Sequence, residues 1–361
     1  MATEALGDGA LLVRTLIVGL FGIAALLLLP DLGPGPLNAG DPLTRAAVIS
    51  TDGTTVEFEV REGPQRGTRL RLPAGEVADT LAPAPQPGEE YLLYLPMDGD
   101  STPAGIAERY RFLPMLGAAA AVAFAAVAIG GLSGIRSLVA LLLSGLLILR
   151  VTIPLLLNGA PALPVAMASA VAVAAATILI ARGPGREAVA AITGMTVALF
   201  VAAGASEAAA TIAGLSEIRG AADLYPLVGL LPGIDLAGLS LAGVLITATA
   251  LIDDVAVTQV AAVEQLRQAD RRLGDMAITA QAMAVGRAHA GALMNTIVIV
   301  WIGGAFPLVA ALSMAGERAD HLISAEVVAA ELLRIAAGVL GTVTAIPATT
   351  YAAVRIGVGR R

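Results

Sequence analysis

From Leu113 onward the chain is a succession of apolar runs, each long enough to cross a lipid bilayer. They fall at roughly 113–132, 137–157, 162–181, 187–205, 236–258, 284–314 and 327–354. This succession constrains the fold more than any motif does. About 20 apolar residues in helical form span the hydrocarbon layer. Inside that layer only a helix or a closed barrel satisfies its own backbone. A further run at 11–29, LLVRTLIVGLFGIAALLLL, makes an eighth. A cleaved signal peptide wants a basic start and a small-residue cleavage site. The first residues carry Glu4 and Asp8, with Arg14 the only base, so a retained anchor is expected.

Composition supports this reading. The chain is 57% hydrophobic and 14% charged, against roughly half and a quarter in soluble domains. The expected fold is an α-helical polytopic membrane protein with about eight transmembrane helices. The anchor takes residues 1–30 and the membrane domain 113–355. A net charge of -7 argues against a nucleic-acid partner, which needs a basic face. There is no Cys, hence no disulfide or thiolate metal site. The two His residues, His289 and His321, leave a zinc site leaning on carboxylates. No metal or cofactor is expected.

Residues 40–110 differ in character. Gly, Pro and charge rise, and the apolar period becomes two. Val56, Phe58 and Val60 alternate with Glu57, Glu59 and Arg61, the pattern of a half-buried strand. Leu70 and Leu72 alternate with Arg69 and Arg71, and EEYLLYL makes another strand. Asp52-Gly53 and Asp98-Gly99 are turn signals. About five short strands suggest a small OB-like barrel or a sandwich.

All 22 basic residues are Arg, and their placement orients the chain. Arg136, then Arg182 and Arg186, then Arg267, Arg271 and Arg272, then Arg355, Arg360 and Arg361 fall at every second boundary. The positive-inside rule therefore puts both termini in the cytoplasm and the β-domain outside. The 206–235 loop carries Pro226 and Pro232 and has room for a re-entrant piece. Gly286/Ala290 and Gly338/Thr342 form small-xxx-small pairs that let helices approach closely. Pro154, Pro307 and Pro347 fall within spans. VTIP and VTAIP, ending at Pro154 and Pro347, are loosely alike.

The block GRAHAGALMNTIVIVWIGGAFPL (Gly286–Leu308) resembles the most distinctive segment of the YibE/F-like membrane proteins. LRIAAGVLGTVTAIPATTYAA (Leu333–Ala353) is similar to their last helix, and Gly131–Gly159 to an earlier pair of blocks. GLSE (Gly214–Glu217) and the Asp254 region also correspond. The family tends to carry an acidic residue at or beside the position of His289. The resemblance implies the topology above and brings no established activity with it.

The polar residues within apolar runs are the candidate functional groups, because ionisable groups in hydrocarbon are costly. Asp253 lies about 25 Å along the sixth span, near the inner boundary. Arg287 begins the seventh at a similar depth, close to His289, and an Asp254–Arg287 pair across the hairpin is geometrically sensible. Asn295 lies about 12 Å deeper than Arg287, near the midplane. The alternative ends the sixth helix at Ile252, with Asp253 capping a surface helix whose Val260, Val263 and Leu266 face lipid. Arg287 then snorkels to the interface, and Asn295 bonds a neighbouring helix. Towards the outside, Arg150 shares a level with Glu331 and Arg334, which are three apart and pair on one helix.

The expected function is a permease or secondary transporter for a small solute or ion in the bacterial cell membrane. Asp254 is its cation or proton site, Arg287 the counter-charge and Asn295 the solute contact. The alternative is a non-transporting assembly or signalling factor acting through its β-domain. An enzyme is not expected: the chain lacks HExxH and GxSxG. Asp253 and Asp254 also point about 100° apart on one helix, so they make no catalytic dyad. The expected partners are the lipid bilayer, a small solute or ion, and further copies of the chain.

Overall fold

The computed structural model describes residues 16–30, 43–73, 85–95, 104–215, 235–304 and 318–360, with positions 306, 310, 313 and 314 between. The stretch 216–234, the turn at 98–100, Arg14, Pro307 and Glu317 lie outside these residues. The chain divides into two compact units: Gly35–Ala126, and Met1–Pro34 with Val127–Arg361.

Among its described residues the first unit holds five strands: β1 (Thr44–Thr51), β2 (Thr55–Val60), β3 (Arg69–Pro73), β4 (Glu90–Tyr94) and β5 (Gly105–Arg109). They form one antiparallel sheet in the order β3-β2-β1-β4-β5, a half-barrel. The period of two holds, with Val56, Phe58 and Val60 buried on one face. Phe58 meets Tyr91 edge to face, ring centroids 5.9 Å apart. A bulge between Val48 and Ser50 shifts the β1–β2 register, and bulges increase local twist. Single-sheet curvature, not a second sheet, encloses this core among the described residues.

The Asp52-Gly53 turn is built as expected. Gly53 has φ 87, and Asp52 Oδ1 accepts from the Thr54 and Thr55 amides at 2.9 and 2.6 Å. These bonds and the two Thr hydroxyls hold the Asp52 carboxyl well below the usual carboxylate range. A depressed folded pKa gives stability that is present above the unfolded value and lost as pH falls through the folded one. Asp52→Ala is therefore expected to speed amide exchange at Thr54 and Thr55 near neutral pH. The difference from wild type should persist down to about pH 4 and shrink only below it, which hydrogen-exchange mass spectrometry reads directly.

The second unit is helical. It comprises α1 (Leu16–Leu28), most of α2 (Phe112–Leu147), α3 (Ile153–Leu157), α4 (Ala162–Arg182), α5 (Arg186–Ala213), α6 (Leu236–Ala269), α7 (Asp275–Gly304), α8 (Ala319–Ser324) and α9 (Glu326–Ile356). Among the described residues, six helices are long and apolar enough to cross a membrane. The runs predicted at 113–132 and 137–157 join into one 46-residue stretch. It breaks at Gly131, with φ 54 and ψ -130, a conformation that a Cβ disfavours. Pro154 cannot donate to residue 150 and its ring crowds that carbonyl. The helix relaxes there into a π turn over Ile148–Thr152. Pro347, by contrast, sits inside continuous α9, so VTIP and VTAIP adopt different backbones.

Small residues decide the packing of α4, α5, α6, α7 and α9. Gly194, Ala198 and Ala202 on α5 face Thr349, Ala345 and Gly341 on antiparallel α9, and the four non-glycine residues are fully buried. A Cβ on Gly194 would strike the Thr349 backbone, and one on Gly341 would lie 3.0 Å from the Ala202 Cβ. This seam is tighter than Gly338/Thr342, where the nearest neighbour of a Cβ on Gly338 is Leu251 at 3.8 Å.

The alternative ending of the sixth helix at Ile252 does not hold. α6 runs on through Asp253 and Asp254 to Ala269. Val260 and Val263 are buried, not lipid-facing, and Leu266 packs against the same core. The two acids do not stop the helix because neighbouring helices cover its far half.

Candidate functional site

Of the arginines that mark alternate boundaries, Arg186, Arg267, Arg271 and Arg360 gather at one end of the helical unit. The start of α5, the α6–α7 loop and the chain end together line a cavity of about 960 Å³. Four arginines (Arg186, Arg267, Arg271 and Arg360) face four acids there. At its base Arg267 is only 6% exposed. Its guanidinium donates to Val358 O at 2.6 Å, Val354 O at 3.1 Å and Asp275 Oδ1 at 2.8 Å. Arg360 Nη2 lies 2.7 Å from both oxygens of the same Asp275 carboxylate. The planar fork thus supplies a donor to Val358 O, just past α9, and a second donor to Val354 O beside the Gly357 amide. Arg136 does the same for Ala181 O on α4, at 3.4 Å.

Eight residues before Arg267, about 12 Å along the helix, Gln259 is fully buried. Its carboxamide nitrogen faces Thr350 Oγ1 at 2.9 Å and Ala282 O at 3.2 Å, and its oxygen faces the Gly286 amide at 3.2 Å. Thr350 in turn donates to Ile346 O at 2.7 Å. Every polar atom of this joint is paired, which fixes α6, α7 and α9 in one register. Gly286 is required there, because a Cβ would strike Gln259 and Ile346.

Other buried polar atoms are not paired. Asp253 Oδ1, His289 Nε2 and Thr349 Oγ1 are buried without a hydrogen-bond partner. Asp253 faces α4, where Thr177 and Arg182 stand beside it. Arg182 also reaches Val257 O at 3.4 Å. Thr177 also donates to Ala174 O at 2.9 Å.

Several of the remaining predicted residues are placed differently from expectation. Asp254 and Arg287 are both exposed, and no ion pair joins them among the described residues. The Gln259 joint explains this. Asp254 lies five residues from Gln259, about 140° around α6 and away from α7. Asn295 is exposed as well. It lies nine residues from Gly286, half a turn away from the face that packs. Arg150 donates to Leu29 O at 2.7 Å and so caps α1. Glu331 pairs with Arg334 within α9, as the i,i+3 spacing predicts. Arg334 also reaches Ser240 Oγ on α6 at 3.3 Å. Ser206, Ser240 and Arg334 line a crevice of about 10 Å³, the room of one water.

Among the described residues no three or more His, Asp or Glu side chains are grouped to hold a metal ion. Sequence reading missed Gln259, Arg267, Asp275, Thr350 and Arg360. Gln259 is a lone polar residue in an apolar run, which was the available signal. Arg267 carried only a topological meaning, since its carbonyl partners lie 87 and 91 residues away.

Chemically, the arrangement offers a charged, open cavity at one end and an unsatisfied carboxylate oxygen farther along α6. The family model described as YibE/F-like protein matches residues 118–357. No curated protein and no solved structure matches the chain.

Proposed function

This chain belongs to the YibE/F-like family, and on that footing we propose that it is a multi-pass membrane permease or secondary transporter for a small solute or ion. The observation that carries this reading is Asp253. An apolar helix holds a carboxylate with one buried oxygen that no donor satisfies, and such a group is costly unless it is used. The cation or proton site is accordingly Asp253, in place of the exposed Asp254. The cavity lined by Arg267 and Asp270 is the cytoplasmic vestibule, since arginine-rich ends face the cytoplasm. The small-residue seam between α5 and α9 supports a bundle whose helices can move against one another. Asn295 and Arg287 drop out of the route, because both face away from the packed helices. The β-domain lies outside the cell membrane, which is bacterial on this reading. Its strand order is read as an OB-like barrel open on one side.

Purified protein in liposomes carrying a trapped pH dye or a sodium dye tests the proposal. Proton or sodium flux above that of empty liposomes is expected, and Asp253→Asn should reduce it at least tenfold while Asp254→Asn leaves it within twofold. Wild-type flux equal to the empty control for both ions, or an unchanged Asp253→Asn, would overturn it.

A further inference from the structure

The exposed side of α7 has a composition that lipid does not explain. Ala284, Ala288, Gly291, Asn295, Val298 and Ile302 recur at alternating steps of four and three, and all six are exposed. This is the spacing of a helix–helix seam, and it lies opposite the face that carries Ile278, Ala282, Gly286, Ala290 and Ile297, all buried. Nothing stands within 4 Å of a Cβ placed on Gly291, so the backbone there is open to close approach. One turn on is Asn295. Thr296 returns its hydroxyl to Ala292 O at 3.2 Å and so needs no outside partner. Asn295 makes no such bond among the described residues. Its carboxamide would meet hydrocarbon with two donors and an acceptor unmet.

We infer that this face of α7 binds the α7 of a second copy of the chain, with Asn295 meeting Asn295 across a two-fold axis normal to the membrane. The occupant follows from the chemistry of the amide. It carries donor and acceptor together, so two identical groups related by a two-fold satisfy each other, as an isologous contact requires. A charged or purely apolar partner would leave one half of the amide unmet. The small residues before Asn295 bring the two backbones close enough for short side chains to reach, and Val298 and Ile302 continue the contact. The inference needs the helices to lie in a bilayer, but it does not need the protein to transport anything.

The chain has no Cys, so an introduced one reports unambiguously. Val298→Cys on the seam is expected to form disulfide-linked dimers on oxidation in membranes, at a yield that persists when the protein is diluted with lipid. Leu340→Cys, on α9 and more exposed at 49% against 39% for Val298, is the control and should remain monomeric. Adding Asn295→Ala to Val298→Cys should weaken association about tenfold, and Asn295→Gln should restore it. Because Asn295 is exposed, its removal leaves the fold intact, which monodisperse elution confirms. Equal cross-linking at Leu340, a monomer at all lipid ratios, or a partner of different mass captured at Val298 would each overturn the inference. A flux that survives in a monomeric Asn295→Ala protein separates this result from the transport reading.

Discussion

Arg267→Ala is expected to lower the stability of the helical unit by about 3 kcal/mol, in the range for breaking a buried charged network. The side chain is 6% exposed and holds two carbonyls of the α9 terminus besides Asp275. Truncation leaves Val358 O without its donor and Val354 O with the Gly357 amide at 3.2 Å, in a place where water reaches poorly. Asp275 suffers less, because it is half exposed and keeps Arg360. The loss therefore comes mainly from the carbonyls and not from the ion pair. Two comparisons check this attribution. Asp275→Asn should cost far less than Arg267→Ala, because exposed pairs contribute little. Arg267→Lys should recover only part of the loss, since an ammonium lacks the flat fork that reaches three acceptors. Thermal unfolding in detergent, read by the fraction of protein eluting as a monodisperse species, gives the order Arg267→Ala, Arg267→Lys, Asp275→Asn. If Asp275→Asn proves as damaging as Arg267→Ala, the carbonyl account is wrong.

The second large effect is expected at Gly194. Valine there would place branched methyls against the backbone of Thr349, which cannot retreat without moving α9. Overpacking of a tight interior costs about 1–3 kcal/mol and occasionally more, and this site, set against backbone, belongs at the upper end. Gly204 on the same helix has nothing within 4 Å of an added Cβ. Gly204→Val should therefore be nearly neutral, since valine is no poorer a helix former than glycine. The paired measurement is melting temperature in detergent. Equal shifts for the two variants would sink the idea that the α5–α9 approach sets the packing. A compensating Thr349→Ala would not rescue Gly194→Val fully, because the Thr349 Cα is itself within the clash.

Much of this architecture is legible in the sequence, for identifiable reasons. Val56, Phe58 and Val60 alternate with charge, and the strand they predict is half-buried as written. The apolar runs become long helices because no other backbone geometry suits them. Gly131 marks a break because a positive φ selects glycine. What stays hidden depends on distant segments. The extension of α6 beyond Ile252 rests on helices that the local pattern does not mention. Asp253 and Asp254 look alike in the sequence, yet one faces Thr177 of α4 and the other is exposed. The Asp254–Arg287 pair was plausible by depth alone. Azimuth defeats it, and azimuth is set by the Gln259 joint. Asn295 had the right depth for a central residue and the wrong side of the helix. Arg150 illustrates the same limit: depth places it level with Glu331 and Arg334, while its guanidinium donates to the Leu29 carbonyl.

The seam between α5 and α9 has one more consequence. Its small residues repeat every fourth position on both helices, at 194, 198 and 202 against 341, 345 and 349. Four residues of helix measure about 6 Å. A contact surface with that repeat behaves like a ruler laid on a ruler: displaced by one division, its marks coincide again. Interdigitated leucines would erase such degeneracy, because each large side chain has only one socket. Here the reading is fixed from elsewhere, by Gln259 with Thr350 and by Arg267 with Val358, both near the same end. Farther along α9, Arg334 reaches Ser240 at 3.3 Å. Mechanically, then, the two polar joints near this tip of α9 choose one division of a graduated track.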